Sequence, residues 1–306
     1  MKILFLRRSS VFNYMGGSEI QIYYLMEELK KKGYEIHYLF DSNRKIKQGD
    51  DKVHYHLLHD YTRLFSWLNF LKIGILIKKI NPDIIYQRVR STYTGIGGFF
   101  AKLTNTKMVY NISSHNDCLK TSTTFPNFIK DILGDYGISN ANLVIAQTRR
   151  QQNLLKANFG LNSILISNGH HIPNPPFKKL HPLIVAWIAN IKHLKQPEIF
   201  IKLAEECQDL DARFIYAGRP TTGKYQKMLS KKTKDIPNLN YLGEIPFEKT
   251  NEVLSQASVF INTSLSNKEG FPNTYIQAWM RETPVVTLNC DPDNIIKSQK
   301  IGFHSA

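Results

Sequence analysis

Short apolar runs rich in β-branched residues alternate with longer amphipathic runs along most of the chain. KILFLRR (2–8), EIHYLF (35–40), IIYQR (84–88), KMVYNIS (107–113), LVIAQ (143–147) and SILISN (163–168) have the length and residue types of strands. Helical patterns fall between them, over about 19–32, 63–80, 94–103, 126–138 and 149–159. Gly33 and Asn81-Pro82-Asp83 are stop signals. Strands separated by helices pair in parallel, because each return crossover needs a helix's worth of chain. The alternation is broken at IPNPPFKKLHP (172–182), which holds four prolines and little periodicity and reads as a linker. A second α/β series follows. Its strands are LIVAWIA (183–189), ARFIYAG (212–218), LNYLG (239–243), SVFINTS (258–264) and PVVTLN (284–289), with helices at 198–207, 222–233, 248–257 and from Pro272 onward. The expected architecture is α/β: two Rossmann-like, doubly wound domains, 1–171 and 183–306, joined by a Pro-rich hinge and facing a cleft. In such folds ligands sit at the carboxyl ends of the strands.

Length agrees, since 306 residues exceed one ordinary core. Cys118, Cys207 and Cys290 are far apart and form no CxxC pair, which disfavours a zinc knuckle or disulfide framework and fits a reducing cytosol. The apolar run ILFL is too short for a leader, and no stretch reaches the 18–20 apolar residues of a membrane span. A cytoplasmic location is expected. The net charge of +15 favours an anionic partner such as a phosphorylated substrate or an acidic lipid surface, although the lysines are spread along the chain. No zinc-finger or RNA-binding signature supports nucleic acid. The absence of GxGxxG argues against a dinucleotide dehydrogenase.

Chemistry concentrates in KEGFPNTYIQAW (268–279). Pro272 suits the start of a helix, whose free first-turn N–H groups and dipole suit a phosphate. Glu269 lies just before that turn, where a carboxylate can accept from sugar hydroxyls. Gln277 lies two turns along the face of Asn273 and Thr274, and its amide can both donate to and accept from a ribose. On spacing alone, a solvated loop charge at Glu269 and an ordinary polar helix position at Gln277 is the stronger reading. Gly16 and Gly17 follow the first strand, where glycine lets a backbone approach a ligand. His115 and Asp117 follow the strand 107–113, and Arg88 ends IIYQR; each falls at the cleft edge.

KEGFPNTYIQAWMRETPVV closely resembles the donor-site segment of retaining glycosyltransferases of family 4, which have the GT-B fold. The resemblance extends over nearly the whole chain. MGGSEIQIYYLMEELKKKGYEI, LVIAQT with ISNG, AWIANIKHLKQPE, AGRP and NLNYLGEIPFEKTNEVLSQASVFINTS carry it as well. It implies that Glu269 contacts the transferred sugar and that Gln277 stands where the family usually has a second Glu holding the ribose. The amides of Gly270, Phe271, Asn273 and Thr274 would cradle phosphate, with Pro272 supplying no N–H. Lys195 matches a diphosphate-clamping lysine. Asn190 occupies the position of the usual arginine, with Lys192 able to supply the missing charge. His115 matches the active-site histidine, and Gly16 and Gly17 the diphosphate-side loop. Arg88 and Asp117 are candidate phosphate or acceptor contacts.

The implied reaction is metal-independent sugar transfer, with retention, from a UDP-, GDP- or ADP-sugar to an acceptor hydroxyl. Lysines and amides would stand in for a divalent cation, and no cofactor is implied. Such enzymes often build bacterial surface polysaccharide or glycolipid on a glycan or lipid-linked acceptor. The helix 63–80, with Phe65, Trp67, Phe70 and flanking basic residues, reads either as a peripheral contact with an anionic inner membrane face or as an ordinary packed helix. By analogy the second domain should continue for around 50 residues beyond GFHSA, so 183–306 is expected to be incomplete. Two rivals follow: a non-catalytic nucleotide-binding relative, and a GT-B nucleotide-sugar epimerase.

Overall fold

The strands form where both faces of an apolar run can be covered. The computed structural model describes residues 1–9, 16–41, 53–58, 66–120, 128–265 and 269–305. It divides into two units, Met1–Gly169 and His170–Ala306.

In the first unit β1 (Lys2–Ser9), β2 (Glu35–Asp41), β3 (Val53–Leu58), β4 (Ile84–Arg88), β5 (Lys107–Asn111), β6 (Leu143–Ala146) and β7 (Ile164–Leu165) form one sheet. Its order is β3-β2-β1-β4-β5-β6-β7, and every recorded pairing is parallel. Alternate residues of a strand point to opposite faces. Leu4, Leu6, Leu39 and Ile85 therefore pack with Ile73 and Ile77 of α2 (Ser66–Ile80). Ile3, Phe5, Ile36, Tyr38 and Phe40 pack with Ile22 and Met26 of α1 (Gly17–Lys31).

The remaining helices are α3 (Thr92–Leu103), α4 (Phe128–Ser139) and α5 (Arg149–Phe159). α5 is bounded by local chemistry. The Thr148 hydroxyl accepts from Gln151 N–H at 3.2 Å, and Gly160 closes the helix at φ 68°. Helices α3 and α4 approach closely because glycines meet there. A Cβ on Gly137 would stand 2.1 Å from the Thr94 carbonyl oxygen.

The second unit repeats the plan. β8 (Leu183–Ile188), β9 (Ala212–Ala217), β10 (Leu239–Tyr241), β11 (Val259–Asn262), β12 (Val285–Thr287) and β13 (Gly302–His304) take the order β10-β9-β8-β11-β12-β13. The recorded pairings are again parallel. The helices are α6 (Pro197–Glu206), α7 (Lys224–Thr233), α8 (Phe247–Gln256), α9 (Asn273–Trp279) and α10 (Ile295–Gln299). Gly218 ends β9 at φ 157°, and a Cβ there would lie 1.7 Å from the Ala189 carbonyl oxygen. Only glycine lets these two strand ends run side by side.

The two doubly wound parallel sheets are those expected from the alternation. Three elements were not expected: β3, α10 and β13. The helix expected at 63–80 starts at Ser66, and that expected at 126–138 starts at Phe128; residues 63–65 and 126–127 lie outside the described residues, as do Phe65 and the Trp67 side chain. Phe70 is half-buried, with its ring centroid 5.6 Å from Phe99 and 5.0 Å from Phe100. It packs on α3 rather than facing outward.

Candidate active site

In each sheet one central strand pairs on both sides with strands that leave in opposite senses of the winding. That reversal opens a crevice at the carboxyl ends of the two strands beside it. In the second unit the strands are β8 and β11, which pair directly through Val185 with Val259 and Ala186 with Phe260. The chain leaving β8 carries Asn190, Lys192 and Lys195. The chain leaving β11 carries Glu269.

Lys195 ends a single 3-10 turn, His193–Lys195, and that turn is tied to β11. The Thr263 hydroxyl lies 2.6 Å from the Lys195 carbonyl oxygen and accepts from Trp187 Nε1 at 2.9 Å. Leu265 N–H donates to the Leu194 carbonyl at 3.0 Å. Held this way, the Lys195 ammonium donates to Glu269 Oε1. The pair is largely enclosed, with side-chain exposures of 18% and 15%. Two residues 74 positions apart thus form one ion pair at the switch point. Lys192 is exposed and Asn190 half-buried.

The segment after Glu269 is firmly seated. Gly270 is buried, and Pro272 caps α9 at φ −65°, one position before the helix proper. Phe271, Asn273 and Thr274 are half-buried beside it. The Tyr275 hydroxyl donates to the Cys290 carbonyl at 2.8 Å inside the core. Burial first, and then the nearby Glu269 carboxylate, push the Cys290 thiol up to about 12, so it stays protonated. Gln277 is buried, and its Nε2 donates to Asn251 Oδ1 of α8 at 3.0 Å. The structure thus places Lys195 and Glu269 together and turns the Gln277 donor toward α8.

The first unit has a matching arrangement that sequence reasoning missed. Its reversal lies between β1 and β4; Arg7 lies near the carboxyl end of β1 and Arg88 ends β4. Both arginines are buried. Arg7 pairs with Glu19, in the first turn of α1, and donates to Ser18 Oγ at 3.1 Å and to the Arg88 carbonyl at 2.9 Å. Arg88 donates to Asn168 Oδ1 at 2.8 Å. Nε of Arg7 and Nε of Arg88 meet no partner among the described residues. Gln21 clamps Gly169 at both backbone groups, donating to its carbonyl at 2.6 Å and accepting from its N–H at 3.0 Å. The SNG segment is therefore welded to α1 and to the end of β4.

Gly16 is the buried cap of α1 and Gly17 its exposed first residue. His115 is buried at the start of the 3-10 turn His115–Cys118 that follows β5. The Asp117 carboxylate accepts from Ser113 N–H at 2.8 Å and from Ser113 Oγ at 2.6 Å, so it folds the turn that presents His115. The signal that could have found Arg7 is a charge directly after the apolar run ILFL of the first strand, twelve positions before Glu19 in the next helix.

Two tripeptides have the Asp-x-Asp spacing that can hold a divalent cation. Asp209 and Asp211 are exposed just before β9, at its amino end. Asp291 accepts from the N–H groups of Ile296 at 2.8 Å and Lys297 at 3.3 Å, which caps α10.

Comparison with known families settles the class. Residues 15–175 match the model described as Glycosyltransferase Family 4, and residues 182–306 match Glycosyl transferases group 1. The chain belongs to glycosyltransferase family 4. No protein of curated function matches it in sequence. Among solved structures, the glycosyltransferase chain is similar to HepE from Anabaena, described in complex with UDP and glucose. That likeness has a TM-score of 0.74 and 17% identity over 99% of this chain and 85% of the other. It is similar also to TarM, at TM-score 0.72 and 14% identity over 99% and 88%. A UDP-GlcNAc 2-epimerase from Methanocaldococcus jannaschii has the same fold at TM-score 0.63 and 12% identity, over 99% and 88%. At these identities the likenesses show the GT-B fold alone. The family match is what selects a glycosyltransferase over an epimerase.

Proposed function

We propose that the chain transfers a sugar, with retention and without a metal ion, from a nucleotide-diphosphate sugar to an acceptor hydroxyl. The observation that carries this reading is the Lys195–Glu269 pair held at the β8/β11 reversal. A cation at that point suits the departing diphosphate, and a carboxylate beside it suits the hydroxyls of the transferred sugar. Charge develops on the leaving diphosphate in such a transfer, so a fixed ammonium supplies the largest share of stabilisation. Lys192, exposed three positions earlier, adds charge for the second phosphate. The backbone at Gly270, Phe271, Asn273 and Thr274 cradles the phosphates, and Asn190 borders them.

Gln277 contacts the ribose only through the part of its amide that Asn251 leaves available. The first unit is the acceptor-side domain, with Gly16, Gly17, His115 and Arg88 as its contacts and Asp117 holding the His115 turn. Retention needs no enzyme nucleophile if the acceptor attacks on the face that the diphosphate leaves.

The acceptor belongs to bacterial surface polysaccharide or glycolipid synthesis, at the cytoplasmic face of a membrane. Supporting this are the exposed apolar side chains Leu71 and Ile75 of α2 and Phe99 and Leu103 of α3, with Lys78, Lys79 and Lys102 exposed on the same two helices. Exposed apolar side chains accompanied by lysines suit an anionic lipid surface. Among the described residues no helix is long and apolar enough to cross a membrane.

The test is calorimetric titration with UDP, GDP and ADP, repeated on Lys195→Ala. The expected result is saturable binding of one nucleotide, weakened by the substitution. Binding of none, or binding that Lys195→Ala leaves unchanged, would refute the assignment. Chromatographic detection of sugar transferred to an acceptor separates the enzyme from a nucleotide-binding relative that has lost catalysis.

A further inference from the structure

β3 reads VHYHLL and is the outermost strand of its sheet among the described residues. Its parallel register sets His54 beside His37 and His56 beside Leu39. The two-residue period puts Glu35, His37, His54 and His56 on one face. This is the amino-terminal part of the strands, away from the carboxyl ends where the site residues lie.

The side chains converge there. The His37 ring stacks on His54, with centroids 4.7 Å apart, and on His56, with centroids 5.2 Å apart. His37 Nε2 lies 2.9 Å from Glu35 Oε1, and His37 Nδ1 lies 3.0 Å from His56 Nε2. One ligand atom each from Glu35, His37 and His54 falls within 4.8 Å of the others.

We infer that this edge binds one divalent transition-metal ion of the zinc class through Glu35, His37 Nε2 and His54. Bound ligand atoms around tetrahedral zinc lie about 3.3 Å apart, so the three need only a short inward movement. Two of them, Glu35 and His54, are exposed and can swing, while His37 is buried and fixes the centre. The donor set of imidazoles with one carboxylate selects zinc, cobalt or nickel over magnesium or calcium.

His56 has a separate part. With the metal on Nε2, the Nδ1–H of His37 donates to His56 Nε2, which fixes the tautomer and aims the ligand. Packing explains a stack of imidazoles, and the exposed Glu35 carboxylate beside His37 Nε2 adds an oxygen donor to it. The ion would staple β3 to β2, which the outermost strand otherwise holds by hydrogen bonds along one edge.

The test uses the full chain after treatment with a chelator. Zinc is titrated by calorimetry, cobalt by its visible absorption, and magnesium serves as the control. The expected result is one equivalent of zinc or cobalt, with magnesium silent and a raised melting temperature for the zinc form. His54→Ala and Glu35→Gln replace exposed side chains and leave the core intact. Each should weaken zinc binding at least about tenfold, and His56→Gln should do so about 10–100-fold. Absence of saturable uptake at one equivalent would overturn the inference. So would uptake unchanged by His54→Ala, which would place the metal on other histidines.

Discussion

The sharpest prediction concerns Glu269→Gln, because the site makes its sign unusual. A carboxylate facing a diphosphate site should hinder a bare nucleoside diphosphate even while it serves the sugar. The Lys195 ammonium is already bonded to Glu269 Oε1, in a pair no more than 18% exposed on either side. Charges about 5 Å apart at an effective dielectric of about 20 interact by about 3 kcal/mol. A diphosphate bound at Lys195 would feel nearly that much repulsion from Glu269. Salt and partial exposure reduce it to about 1 kcal/mol, or about fivefold in affinity. Glu269→Gln should therefore tighten nucleoside diphosphate binding by about that factor while lowering sugar transfer by orders of magnitude. Lys195→Ala loses a charge-assisted contact worth about 1.5–3 kcal/mol, so affinity should fall about 10–100-fold. The double variant should recover part of that loss, because the uncompensated carboxylate is gone. Calorimetry on the four proteins gives the coupling, and a thermal melt of each confirms folding. If Glu269→Gln weakens binding as much as Lys195→Ala, and the double variant binds no worse than either, the pair is only a clip between two loops. The proposed division of labour would then be wrong.

Other outcomes follow from packing and linkage. Glu19→Ala strands the buried Arg7 guanidinium and should cost about 3–5 kcal/mol in urea unfolding; an Arg7→Met/Glu19→Leu pair should regain most of it. Gly137→Ala drives a methyl group into the Thr94 carbonyl, so a loss of about 1–3 kcal/mol is expected in the thermal melt. Thr263→Val removes the hydroxyl between Trp187 and the Lys195 turn. That should cost about 1–3 kcal/mol of stability and weaken nucleotide binding in calorimetry without altering any charge. Burial lowers the pKa of His170, which stacks on Phe247. Its neutral form is favoured by folding, so its contribution is complete above the unfolded value of about 6.5 and is lost as pH falls below it. Between pH 7.5 and 5.5, wild type should lose more stability than His170→Leu, and equal losses would exclude this role.

The frame of the fold was legible because parallel strands covered on both faces must be almost wholly apolar. IIYQR and LVIAQ could be little else. β3 was not legible for the opposite reason. It lies at the edge, and VHYHLL alternates histidine with apolar residues, so its composition resembles a loop. The histidines that hid the strand are the ones that give it a candidate metal site. Within the second unit, Glu269 and Lys195 could each be singled out from sequence, but their pairing could not. It depends on β8 and β11 being neighbours despite two strands and three helices between them in the chain.

Gln277 shows the limit more clearly. Its spacing from Asn273 and Thr274 is compatible with a ligand-facing row, yet the helix buries it against α8, where Asn251 accepts its donor. Spacing fixes which residues share a face, but only packing decides what the face meets. The same holds for Arg7, whose charge follows the apolar run of its strand and whose partner Glu19 lies across a loop in the next helix. Both sheets thus put a cation and a carboxylate beside the strands where the winding reverses. In the first unit the pair is the more enclosed, at 8% and 4% side-chain exposure against 18% and 15% in the second. A buried pair organises the loop around it, whereas a pair still open to solvent can exchange its partner for a ligand. On that ground Lys195–Glu269 is the reactive pair and Arg7–Glu19 the scaffold, and the two sets of substitutions above test that division separately.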